Sequence, residues 1–150
     1  MPNIIENLDI REAGAPISAA NNTDSNSDRI DTSGYDGVIF ICPIEDSVAT
    51  GVATLTVEQN TADSDSGMAA LSGAAATETS VENDDLNNKL LIVNVYRPLE
   101  RYVQAVRTSA TQNIAFGTLI AILYSGKKLP VSAHSTILDL VNVASPAESS

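Results

Sequence analysis

The chain reads as an all-β protein, an antiparallel β-sandwich, on three observations. Its apolar residues come in short runs separated by polar turn clusters, about eight runs at spacings of roughly ten residues. One run, residues 51–59, alternates strictly, with Ala53, Leu55 and Val57 on one face and Thr54, Thr56 and Glu58 on the other, the period of a half-buried strand. Finally, no capped amphipathic run is long enough for a helix between strands, and no repeat appears, which disfavours a doubly wound sheet.

Size and composition set the limits of that core. A chain of 150 residues is one domain by its length. It can bury about 68–70% of its unfolded surface, so it needs neither metal nor disulfide to fold. Aromatic residues are 4% of the chain and Trp is absent, so the core is expected to be Val, Ile, Leu and Ala. Two sheets about 10 Å apart suit side chains of that size.

Residues 1–28 are weakly patterned and end in the polar run 21–28, which buries too little apolar surface to fix itself. They are expected to form an extended N-terminal arm, disordered or laid on a neighbouring subunit, with a short strand near Ile17. The sandwich domain is placed at 29–143 and a flexible tail at 144–150. Within the domain, residues 33–37 form a turn cluster with two glycines. Residues 38–42 make a buried strand, apolar on both faces, and Pro43 ends it or marks an edge. Residues 60–67 are an acidic turn, and a short strand is placed at 77–81 after an Ala-rich stretch. Residues 89–96 form a strand. Pro98 then breaks the chain, because proline lacks the ladder donor and biases Arg97 toward an extended conformation. Residues 102–108 return as a strand. Residues 114–124 are the longest, with Phe116, Ile120 and Ile122 on one face and Leu119 and Leu123 on the other. A last strand is placed at 136–141.

Charge narrows the function classes. Nineteen acids face eight bases, a formal net charge of −11. Such a surface repels phosphate backbones and anionic bilayers, so neither nucleic acid nor membrane is an expected partner. It also favours repulsion between copies. Residues 1–10 carry neither a basic region nor a continuous apolar one, so no signal peptide is expected. Residues 114–124 are too short to span a bilayer.

Catalytic chemistry is sparse. Cys42 is the only cysteine and sits in an apolar run, which reads as a small core residue. His134 is the only histidine and has no Gly-x-Ser-x-Gly elbow to serve. One Cys and one His cannot supply a zinc set. Asp63 and Asp65 precede Gly67 faintly like a calcium loop, but the distal Glu is missing, so a solvated turn is expected. Neither catalytic residue nor metal nor cofactor is therefore expected, and the chain is read as a non-enzyme. The basic residues in and beside the 90–108 stretch remain. Arg97, Arg101, Tyr102 and Arg107 are read either as partners of nearby carboxylates or as subunit-interface residues, since Arg and Tyr are enriched at interface anchors.

Three segments carry a resemblance: Arg29-Ile30-Asp31-Thr32-Ser33-Gly34-Tyr35-Asp36-Gly37-Val38-Ile39-Phe40, Val95-Tyr96-Arg97-Pro98-Leu99-Glu100-Arg101-Tyr102-Val103, and Ala121-Ile122-Leu123-Tyr124-Ser125-Gly126-Lys127-Lys128-Leu129-Pro130-Val131. In that order they resemble capsid decoration (cement) proteins of tailed bacteriophages. The resemblance implies a jelly-roll type of sandwich. It further implies a homodimer or homotrimer on the outer surface of the phage head, assembled in the host cytoplasm, that clamps major capsid protein subunits together. The alternative is a carbohydrate-binding jelly-roll module for host-surface glycans, since Arg101-Tyr102-Val103 also resembles the strand lead-in of discoidin-like domains. A hydrolase with an unrecognised acid pair ranks last.

Overall fold

The structure is a computed structural model and describes residues 3–145 and 147–149. One 3-10 turn, Ile4–Asn7, precedes eleven strands: β1 (Asp9–Gly14), β2 (Ile17–Ala20), β3 (Thr23–Asn26), β4 (Ile30–Asp31), β5 (Gly37–Ser47), β6 (Val52–Asn60), β7 (Ala69–Thr79), β8 (Leu90–Tyr96), β9 (Tyr102–Ala110), β10 (Ile114–Phe116) and β11 (Leu119–Tyr124). They form two sheets, and every pairing is antiparallel.

In the first sheet β5 is central. β8 lies along one side, and β11 and β10 lie end to end along the other, paired in turn to β1 and β2. In the second sheet β9 lies between β6 and the end-to-end pair β3 and β4, and β7 closes the far edge. With β1–β2, β3–β4 and β10–β11 each taken as one broken strand, eight remain, four per sheet. Their order is first-eighth-third-sixth facing second-seventh-fourth-fifth, the two Greek keys of a jelly roll. The expected all-β antiparallel sandwich is the fold observed.

The core follows from period two. β5 buries Val38, Phe40, Cys42 and Ile44, β6 buries Ala53, Leu55 and Val57, and β11 buries Leu119, Ala121 and Leu123. Phe40 and Phe116 are the largest buried side chains, as a core with two phenylalanines requires. Burial pushes the Cys42 thiol up to about 12, so it is inert at neutral pH.

Four expectations change. Residues 9–26 of the anticipated arm are extended but paired: β1, β2 and β3 are edge strands of the two sheets. Many of their side chains are polar, because an edge strand takes its order from the ladder of its neighbour. Residues 69–79 are one continuous strand bent at Gly73, whose φ of +79° suits a glycine, rather than a short strand at 77–81. Residues 114–124 are two strands, because Gly117 interrupts the ladder and its amide donates to the Pro43 carbonyl (2.8 Å). That break shifts the phase, so Phe116 lies inward with Leu119 and Leu123 while Ile120 and Ile122 face out. Residues 136–141 form no strand; Thr136 instead accepts the Glu12 amide through its hydroxyl at 3.1 Å, laying the tail beside β1. Met1 and Pro2 of the arm, and Pro146 and Ser150 of the flexible tail, lie outside the described residues.

Candidate functional site

The three resembling segments are far apart in sequence but meet at one end of the sandwich. β4 ends there, β5 begins there, β8 turns into β9 there, and β11 runs out there. Backbone hydrogen bonds stitch the three loops together. The Lys127 amide donates to the Gly34 carbonyl (2.9 Å), the Asp36 amide to the Tyr124 carbonyl (3.0 Å) and the Arg97 amide to the Asp36 carbonyl (2.6 Å). The Thr32 amide and hydroxyl both donate to the Arg101 carbonyl, at 2.9 and 2.7 Å. Loops cross-linked in this way present side chains from a rigid base.

Arg97 has a φ of +52°, in the left-handed region, and not the extended conformation expected before Pro98. The hydrogen bond from its amide to the Asp36 carbonyl holds the reversal from β8 into the loop, and its guanidinium stacks on the Tyr96 ring, 5.1 Å from the centroid. Arg101 makes a bidentate pair with Asp31 (Nε–Oδ1 2.9 Å, Nη2–Oδ2 2.7 Å) and stacks on Tyr102 at 5.3 Å. That guanidinium, with the Ser33 amide, holds the Asp31 carboxyl below the usual carboxylate range. Tyr102 is half-buried.

Arg107 is a correction to the expected interface set. It is only 2% exposed, on the inward side of β9, and its Nη1 donates to the Gly117 carbonyl at 2.8 Å. Burial lowers its pKa, with Cys42 and Glu12 opposing the shift. It bridges the two sheets and cannot touch another chain. The sequence signal was available: continuing the β9 period from Val103 and Ala105 places Arg107 on the same inward face.

Lys127 and Lys128, unassigned from sequence, belong with Arg97 and Arg101. Between the loops lies an open depression of about 520 Å³, lined by Thr32, Tyr35, Arg97, Leu99, Arg101 and Lys127 among others. Among the described residues, no carboxylate pairs with Arg97, Lys127 or Lys128. Four of the eight basic residues thus gather at this end. The opposite end carries Glu82, Asp84 and Asp85 on the β7–β8 loop, where Asp85 is tied down by the Ser80 hydroxyl (2.6 Å) and the Val81 amide (2.8 Å). Among the described residues, no cluster of three or more His, Cys, Asp or Glu is placed to hold a metal ion.

No family model matches the chain, and no curated protein is similar to it in sequence. Among solved structures it is similar to the PBSX exported protein XepA, with a TM-score of 0.52 and 13% identity over 95% of this chain and 45% of that one. The chain therefore spans less than half the length of that protein. At so low an identity the likeness speaks for the shared β-rich fold alone.

Proposed function

We propose that this protein is a structural component of a phage particle, a decoration protein that sits on the outside of the head and holds neighbouring major capsid subunits together. The observation that carries this reading is the convergence of the three resembling segments on one hydrogen-bonded platform, tipped by Arg97, Arg101, Lys127 and the exposed Leu99. A rigid platform with an apolar tip and Arg stacked on Tyr has the make-up of a protein-binding surface. The likeness of the fold to that of a protein of the phage PBSX agrees with it. An acidic remainder suits the side of a shell that faces away from DNA.

Purified protein should bind expanded, undecorated heads at a fixed copy number, and Arg97→Glu with Lys127→Glu should abolish that binding. Absence of binding at every ionic strength sinks the reading. The depression beside Tyr35 and Arg101 is the one feature that favours the carbohydrate-binding alternative. Saturable binding on a glycan array, lost in Arg101→Ala, would transfer the platform to that role.

A further inference from the structure

The outer face of the first sheet is built as a buried surface. On β5 the outward residues are Ile39, Ile41 and Pro43; on β11 they are Ile120, Ile122 and Tyr124; on β8 they are Leu90, Ile92, Asn94 and Tyr96; on β1 Ile10 joins them. Register aligns them in rows: Ile10, Ile122, Ile39 and Asn94 in one, Glu12, Ile120, Ile41 and Ile92 in the next, with Pro43 beside Leu90. Leu90, Ile92 and Tyr96 are 55%, 51% and 59% exposed. Strands apolar on both faces belong to sheets covered on both faces, yet in the single chain this face is open.

We propose that the occupant of this face is a second copy of the chain, packed sheet against sheet about a two-fold axis. Two features select it. The first is charge. In a chain of net charge −11, the positions of these rows on β5, β8 and β11 carry no charged side chain; the charges lie at the margin, Glu12 on the edge strand β1 beside Ile120 and Glu45 beyond Pro43 on β5. A basic partner would be met by carboxylates, whereas a partner as acidic as the chain itself needs a neutral contact, and a neutral apolar patch is complementary to itself.

The second is area. Four strands about 4.8 Å apart, each contributing about 20 Å, cover on the order of 400 Å² in projection. The tail widens the patch: Leu140 lines a cleft with Ile10 and Leu8, and Val141 and Val143 follow it exposed. A standard interface takes roughly 800 Å² per partner, so the sheet face alone supplies on the order of half of it. Isoleucine rows interdigitate across about 10 Å, as the inner faces of a sandwich do. The platform lies at one end of the sandwich and meets this face only at its margin, where Arg97 stacks on Tyr96.

Sedimentation equilibrium of the full chain tests the proposal. The wild type is expected to pair. Ile92→Lys, at a half-exposed site that leaves the core intact, should weaken pairing about a hundredfold by burying an unpaired charge, and Leu90→Lys should repeat the effect. Thr56→Lys, on the outer face of the other sheet, should leave it unchanged. Thermal melting of each variant confirms that the fold is retained. A wild type that stays monomeric overturns the proposal, as does pairing that survives both lysines. A monomer whose binding to heads is lost in Ile92→Lys assigns the face to the capsid and overturns it too. Loss of head binding in Arg97→Glu with pairing intact concerns the platform alone.

Discussion

The outward positions of β6 and β9 include Thr54, Thr56, Glu58, Gln104 and Thr108, with Val52 and Val106, whereas those of β5 and β11 include Ile39, Ile41, Ile120 and Ile122, with Pro43, Glu45 and Tyr124. Both sets lie across the same core, on strands of the same hand and pairing. The Thr face makes its own polar contacts: the Thr77 hydroxyl donates to that of Thr54 (3.2 Å), the Thr108 hydroxyl to Asp24 (2.8 Å) and Gln104 to Glu58 (2.9 Å). Among the described residues the Ile face has one such contact, the Tyr124 hydroxyl donating to Asn94 at 2.8 Å. Folding the single chain needs only the inner faces to be apolar. On the pairing proposed above, the outer isoleucines are the surface that a second copy covers.

The largest expected effect tests the claim that the two sheets share their core equally. Phe40→Ala in the first sheet and Leu55→Ala in the second should each cost about 3–5 kcal/mol in denaturant unfolding, because both side chains are fully buried. A cost confined to one sheet would mean that the sheets unfold separately. A smaller effect is expected at Gly37, where the Tyr124 hydroxyl and the Val95 carbonyl occupy the space of a side chain. Gly37→Ala should cost about 1–3 kcal/mol by the strain of overpacking. Adding Tyr124→Ala should return part of that, which a double-mutant cycle measures.

Acid stability separates the platform from both faces. Asp31 has a folded pKa below its ordinary 3.8, because Arg101 and the Ser33 amide favour the carboxylate. Its contribution is therefore fully present above pH 3.8 and lost as pH falls through the lower folded value. Asp31→Asn should flatten the fall of the melting temperature below that pH, and Arg101→Met should act alike. The smallest effect belongs to the Thr face: Thr56→Lys should change stability by no more than about 0.5 kcal/mol in the same unfolding measurement.

The sandwich was legible where one physical rule acted alone. Strict alternation in β6 and double-sided apolarity in β5 follow directly from the pleat and from burial. Residues 9–26 were not legible, because an edge strand gains its order from the ladder of its neighbour and needs few apolar side chains of its own. Arg107 was misread for its residue type, although its place in the β9 period pointed inward. Arg97 departed from the extended preference of a residue before proline because a tertiary hydrogen bond to Asp36 outweighs it. Of the platform, Arg97, Arg101 and Tyr102 were visible in sequence. Lys127 was not, since nothing in a linear reading places the end of β11 beside the β4–β5 loop.

The tail that runs beside β1 covers one edge of the first sheet. The outer edge of β1 is occupied: the Glu12 amide donates to the Thr136 hydroxyl, and the Ala13 carbonyl accepts the Asp28 amide at 2.8 Å. At the other side of the same sheet, β8 pairs with β5 alone among the described residues. An open edge templates a further strand, and a sheet open at both edges propagates as a fibre. With the β1 edge stoppered by the chain's own tail, the β8 edge alone is left to accept a strand, so edge-to-edge addition to this sheet would end at the first partner.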